Sequence, residues 1–183
     1  MKNNKDDKAI NAGEQTPEVL LRNIQILDKE VIEFSVENMV IAEPGVIKEM
    51  DISFEPDENK YAIGYIKPKV LDEENVRQSF SKIDKTVTIL SLLYGVRDWT
   101  PKMFRIETSA TRIMKPQDLI RVDDAFKLIS ARMNNEESEV YFRAVEWYRH
   151  GINSKSQFNS FLAFYNAIEL VSDGYIYKNT NQK

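Results

Sequence analysis

The apolar residues of this chain change their spacing at Asp72, and the change separates two kinds of structure. Upstream of Asp72, short runs of β-branched and aromatic residues alternate in part with polar ones, which is typical of strands. These runs cover residues 20–27, 31–36, 47–54 and 61–67. They predict an antiparallel meander, in which Pro44 and Gly45 occupy the two central positions of a type II turn.

Downstream of Asp72 the apolar residues are four and three positions apart, as they are on one face of an α-helix. The stripe is unbroken through Val76, Phe80, Ile83, Val87, Leu90 and Tyr94. Asp72 suits the N-cap of such a helix and Gly95 suits its C-cap. We therefore predict one continuous helix over residues 72–95 that buries the first five side chains of the stripe.

The remaining chain predicts one more strand and three helices. Residues Met103–Ile113 alternate with period two, which indicates a half-buried strand. The first helix follows an Asp118 N-cap and carries the apolar stripe Leu119, Val122, Phe126, Ile129 and Met133. The second helix covers Glu136–His150 and is predicted to end at Gly151. The third covers Ser156–Ser172 and is predicted to end at Gly174.

These patterns predict an α+β fold with a β-rich N-terminal part that contains one long helix, followed by a helical part. We divide the chain into a disordered polar tail at 1–16, a β-rich domain at 17–114 and a helical segment at 115–183. With 183 residues and 42% hydrophobic content, the chain is long enough to bury a core.

The composition argues against several classes of function. The chain has no cysteine and one histidine, which removes disulfides and thiolate chemistry and disfavours zinc. It also lacks the glycine-rich nucleotide-binding motifs and the nucleophile elbow, so we expect no cofactor and no metal. The polar N-terminus and the lack of a run of ~20 apolar residues predict a cytoplasmic protein without a membrane segment.

The charge distribution bears on nucleic-acid binding. The formal net charge is −4, with sixteen basic and twenty acidic residues in 1–114 and nine of each in 115–183. Because neither part is basic, tight electrostatic binding of RNA has no support, although a local basic patch is left open.

Aromatic residues are concentrated at the C-terminal end. Ten of nineteen lie in the last quarter of the chain: Tyr141, Phe142, Trp147, Tyr148, Phe158, Phe161, Phe164, Tyr165, Tyr175 and Tyr177. Two short helices do not need so much aromatic surface. We expect part of it to form a homo-oligomer interface through the C-terminal helices.

Arg143 and His150 are the candidate catalytic pair. They are seven residues apart, so on a helix they share a face and lie about two turns, or ~10 Å, from each other. This spacing resembles the Arg-x(4 to 6)-His pattern of metal-independent ribonucleases of the HEPN superfamily. The resemblance implies a site shared by two protomers, in which the histidine acts as acid or base and the arginine holds phosphate. The alternative is a salt-linked polar face, because Glu139 and Glu146 are on the same side of the helix.

Glu169 and the segment Arg97-Asp98-Trp99 are the other candidates. Helical spacing places Glu169 among Phe158, Phe161, Leu162 and Tyr165, so we predict a buried carboxylate satisfied by a basic side chain or a backbone donor. Residues 97–99 follow the predicted C-cap and are a candidate ligand-binding loop. A local packing role for that loop is the alternative.

The segments AVEWYRHGI at Ala144–Ile152 and FLAFYNAIELV at Phe161–Val171 resemble paired helices of the HEPN superfamily, of the ApeA and methylamine-utilisation MauJ-like kind. The resemblance implies core positions at Trp147, Tyr148, Phe161, Tyr165, Ile168, Glu169 and Leu170. It also implies pairing of protomers through these helices and a helical part that is incomplete at its C-terminus. No catalytic residue transfers, since Ala144 follows Arg143 where active members prefer a polar residue.

The sequence thus predicts a non-catalytic binding or assembly protein with a HEPN-like helical part, linked by the resemblance to RNA-directed defence. Two alternatives stay open at this point. One is a ribonuclease with Arg143 and His150 composite across a dimer, and the other is a small-ligand sensor that uses the loop at 97–99.

Overall fold

The computed structural model describes residues 30–101 and 112–180, and the side chains of its last helix up to residue 172. The described residues form six strands, four α-helices and one turn of 3-10 helix at Lys48–Met50. The strands are β1 Ile32–Ile41, β2 Gly45–Ile47, β3 Ile52–Pro56, β4 Tyr61–Ile66, β5 Trp99–Pro101 and β6 Arg112–Met114. The helices are α1 Glu73–Tyr94, α2 Pro116–Arg132, α3 Asn135–Asn153 and α4 Gln157–Thr180. The predicted α+β class is confirmed.

The strands form one sheet in the order β2-β3-β4-β1-β5, with antiparallel neighbours throughout. The far edge of β1 is shared, because β5 pairs with its first half and β6 runs parallel to its second half. The register of β1 against β4 shifts between Ser35 and Val40, where Asn38 has a φ of 62°. A β-bulge at this point bends the strand and divides its edge between two partners.

The predicted strands at 31–36 and 61–67 are confirmed as β1 and β4. The run at 47–54 is instead divided, since Ile47 ends β2, a 3-10 turn follows, and β3 begins at Ile52. The run at 20–27 lies outside the described residues, as does most of Met103–Ile113, of which only the end is described, within β6.

The predicted type II turn at Pro44-Gly45 is wrong. Gly45 begins β2, and Gly95 is the one glycine with positive φ in the described parts of the chain. Gly45 is needed for space and not for turning, because a Cβ there would lie 2.5 Å from Leu119 Cδ1. The absence of a side chain lets α2 approach the edge of the sheet.

The predicted long helix is confirmed as α1. The Asp72 carboxylate accepts a hydrogen bond from the Asn75 amide at 2.8 Å, and Gly95, with φ of 70°, donates its amide to Ser91 O at 2.9 Å. Of the five predicted core residues, Val76, Ile83, Val87 and Leu90 are fully buried. Phe80 is partly buried and stacks on Trp99 with ring centroids 5.6 Å apart.

Helix α2 begins earlier than predicted. Lys115 is the N-cap and Asp118 is the third helical residue, so the predicted Asp118 N-cap is wrong. Asp118 still closes the helix end, because its carboxylate accepts the Lys115 amide at 2.9 Å while its own amide donates to Lys115 O at 2.9 Å. The side chains of α2 join those of the sheet and α1 in one core, which therefore includes residues on both sides of the predicted boundary at residue 115.

The predicted glycine stops of α3 and α4 are wrong. Helix α3 runs through Gly151 to Asn153, and α4 runs through Gly174 to Thr180. A Cβ at Gly151 would lie 2.3 Å from the Phe164 ring, so this glycine permits close contact between the two helices. Helix α4 packs chiefly against α3, at the outside of the molecule.

Candidate functional site

Within the residues whose side chains are described, helix α4 presents most of its large apolar side chains to solvent. Its less exposed side carries Ser160, Ala163 and Ala167, of which Ala163 is buried, and Phe164, whose ring contacts α3. The opposite side carries Phe158 at 71%, Phe161 at 67% and Ile168 at 66% exposure. We call the exposed set the apolar face of α4; it comprises Phe158, Phe161, Leu162, Tyr165 and Ile168.

The small residues explain why α4 is turned this way. A helix surface of alanine and serine allows another helix to approach closely. Gly151 of α3 leaves room for the ring of Phe164, which a Cβ there would meet at 2.3 Å. One aromatic of α4, Phe164, does face α3, where its ring lies 5.6 Å from that of Tyr148. Phe158, Phe161 and Tyr165 are each more than half exposed, and none of them makes a ring contact with another described residue. Exposed apolar side chains of α3 add to this end of the molecule, namely Trp147, Tyr148 and Ile152.

The predicted burial of Glu169 is wrong. Glu169 is exposed and makes no hydrogen bond or ion pair with any residue that the structure describes. It lies on the side of α4 that carries Leu162 and Tyr165, as helical spacing requires. The prediction failed because it assumed that the most apolar side of α4 faces the core, whereas the side of small residues does.

Arg143 and His150 are both exposed on α3. The Nε2 atom of His150 lies 3.9 Å from Glu146 Oε1. Glu139 does not pair with Arg143 but reaches across to Lys85 of α1. The salt-linked row expected along α3 is therefore replaced in part by a bond between two helices.

A groove of about 350 Å³ lies between α1 and α3 beside Arg143. Its lining mixes both charges with aromatic surface and includes Phe80, Asp84, Lys85, Phe142, Arg143 and Glu146. Among the residues described, no group of three or more His, Asp or Glu side chains is placed to hold a metal ion. The balanced charge of the groove favours neither anions nor cations.

Arg149 is a site residue that sequence analysis missed. It is 5% exposed, with Nη1 at 3.8 Å from Asp98 Oδ1 and Nη2 at 4.0 Å from Glu146 Oε1. No hydrogen-bond partner is placed at Nη1 in the described parts of the chain. No pattern along the chain could have shown this burial, because it depends on where the loop at 97–99 folds back.

That loop is fixed by contacts with two helices. The Trp99 indole N–H donates to Asp84 Oδ1 at 2.7 Å, and Asn153 Nδ2 of α3 donates to Arg97 O at 2.9 Å. The pKa of Asp84 is raised, chiefly because the surrounding protein removes water from its carboxylate. The hydrogen bond from Trp99 acts in the opposite direction and lowers the pKa. These contacts describe how the loop packs; its role in ligand binding stays a prediction.

A scan of protein-family models, a search of curated proteins and a search of solved structures each find no match to this chain. The resemblance to the HEPN superfamily therefore stays a prediction. Within the described ranges, no helix is long and apolar enough to cross a membrane.

Proposed function

We propose that this protein is a non-catalytic assembly module that self-associates as a homodimer through α4. The observation that supports this most is the apolar face of α4, where Phe158, Phe161 and Ile168 are each about two-thirds or more exposed. Burying a side chain of this size contributes roughly 1.5–3 kcal/mol. Contiguous apolar surface of this kind on a soluble chain marks an interaction site.

A second copy is the simplest occupant of this face. A two-fold dimer joins the same surface of both chains, so each contact that covers an exposed aromatic residue occurs twice in the interface. The HEPN resemblance implies pairing through these helices as well, and association with RNA-directed defence rests on that resemblance alone. The groove beside Arg143 does not define a ligand class, so we propose no small-molecule function for it.

A pair of matched variants tests this proposal. Ile168→Glu places a charge in the apolar face of α4, and Ile120→Glu makes the same change at an isoleucine of α2 that is 54% exposed. We expect Ile168→Glu to weaken self-association by at least about 100-fold, because a charge buried in the apolar part of an interface is left without a partner. Ile120→Glu leaves the dimer intact.

Light scattering on a size-exclusion column at one fixed loading concentration measures both variants. Equal masses for the two variants, whether both dimeric or both monomeric, would contradict the assignment of the interface to α4.

A further inference from the structure

The exposed side of α4 follows a seven-residue repeat. Its side chains are three or four residues apart along the chain, which is the pattern of helices that pair as coiled coils. Lettered as a heptad, positions a and d are Phe158, Phe161, Tyr165, Ile168 and Ser172. Leu162 and Glu169 both occupy position e, which flanks the seam between two helices.

Glu169 restricts what can cover this side of the helix. Its carboxylate lies next to the seam and has no partner among the described residues of its own chain. Covering the apolar face removes water from that carboxylate, and an unpaired charge at the edge of a closed interface disfavours binding. The occupant must therefore supply a cation at this height along α4.

The chain carries a cation just ahead of the N-terminal end of α4. Lys155 is exposed, lies just before the Ser156 residue whose carbonyl accepts the first helical bond, and has no partner among the described residues. It precedes Leu162 by seven residues, and Leu162 precedes Glu169 by seven. Seven residues are close to two helical turns, so Leu162 and Glu169 lie nearly in one line on α4, and Lys155 lies two residues before Gln157, where the helix begins.

The two charges cannot neutralise each other within one chain. Gln157, where α4 begins, and Glu169 are twelve residues or about 18 Å apart along the axis, and Lys155 lies a further two residues before Gln157. In an antiparallel pair whose two-fold axis lies at the height of Ala163, however, Glu169 of each copy lies opposite Gln157 of the other, two residues after Lys155 and within reach of its long side chain. The same register sets Phe158 against the partner subunit's Ile168 and Phe161 against the partner subunit's Tyr165.

A parallel pair offers no such compensation. It would align residues 156–172 of the two chains at equal heights, and this stretch contains no lysine or arginine. Both Glu169 carboxylates would then be enclosed without a cation. Charge complementarity thus distinguishes the two orientations.

We infer that two copies of this chain pair through α4 in antiparallel orientation, with the two-fold axis at the height of Ala163 and Glu169 of each copy bound to Lys155 of the other. This inference rests on the proposed self-association and adds its orientation and register. It also gives Glu169 a basic partner, which it lacks among the described residues of its own chain.

Charge reversal tests the register. Glu169→Lys places two lysines against each other at both ends of the dimer, and Lys155→Glu does the same with two glutamates. Because like charges repel, each single variant should dimerise at least about tenfold more weakly. An equimolar mixture of the two single variants restores both attractive contacts in a heterodimer. We expect the dissociation constant of that mixture to return to within about threefold of the unchanged protein. The control is Lys69→Glu, which makes the same change at an exposed lysine ahead of α1 and should leave the dimer unchanged.

Sedimentation of the unchanged protein, the variants and the mixture separates the outcomes. Weak single variants and a restored mixture support the antiparallel register. A dimer that is unaffected by the single variants, or a mixture that is not restored, overturns the register while self-association stands. An unchanged protein that is monomeric at every concentration overturns the proposed function itself.

Discussion

Asp123 connects α2 to the 3-10 turn at Lys48–Met50. Its carboxylate is 6% exposed, accepts the Glu49 amide at 2.8 Å and pairs with Lys127 Nζ at 2.8 Å. Burial alone would raise its pKa, but these two partners stabilise the charged form and hold the pKa below the usual 3.8. A carboxylate with a lowered folded pKa contributes stability above its unfolded pKa, and the contribution is lost as the pH falls through the folded value.

We expect Asp123→Asn to lower the free energy of unfolding by about 1–3 kcal/mol near neutral pH, because the buried charge-assisted bonds are lost. The difference from the unchanged protein should shrink as the pH falls below about 4. Asp124→Asn is the control, since that neighbouring side chain is 64% exposed, and it should change stability by less than about 0.5 kcal/mol. Urea unfolding at several pH values measures all three, and a difference that grows in acid would show that Asp123 acts in another way.

The environment of His150 bears on whether the protein cleaves RNA. Glu146 lies 3.9 Å from its Nε2 atom, and a carboxylate so close repels phosphate and neutralises the cation that a phosphate needs. We therefore expect no cleavage of single-stranded or structured RNA in metal-free buffer. Cleavage that His150→Ala abolishes and Lys69→Glu leaves intact would establish the ribonuclease alternative instead.

At the scale of elements, α1 is the helix whose stripe of buried side chains forms a clear part of the core. Its buried residues meet the sheet on one side, while Leu92 and Leu93 near its end are exposed. The cap residues Asp72 and Gly95 could be recognised in the sequence because their residue types are specific to helix ends. Gly151 and Gly174 have the same residue type as Gly95, yet they lie inside helices, so the type alone does not identify a stop.

We expect Val87→Asp to destabilise the protein by about 3–5 kcal/mol, since it places an unpaired charge in the core. Leu93→Asp makes a comparable change on the same helix at a position that is 45% exposed, and it should cost less than about 1 kcal/mol. Thermal melting followed by circular dichroism distinguishes the two. Similar melting temperatures for both variants would mean that the stripe of α1 is not the core.

At the scale of the whole molecule, the sequence predicted the α+β class, β1, β4 and α1, because each has a regular period that its own residues define. It did not predict the burial of Arg149 or the exposure of Glu169. Both depend on how elements distant in sequence pack, and for α4 the decisive residues are small ones such as Ala163. A search for the most apolar side of a helix overlooks such residues, although they set how closely two helices approach.

The mass of the unchanged protein in solution tests the central claim most directly. Sedimentation equilibrium over a range from about 1 μM to several hundred μM covers the affinities expected for an interface of one helix pair. We predict that the mass rises with concentration from the 21.3 kDa of one chain to twice that value. A constant mass of 21.3 kDa across the whole range would contradict self-association through the apolar face of α4.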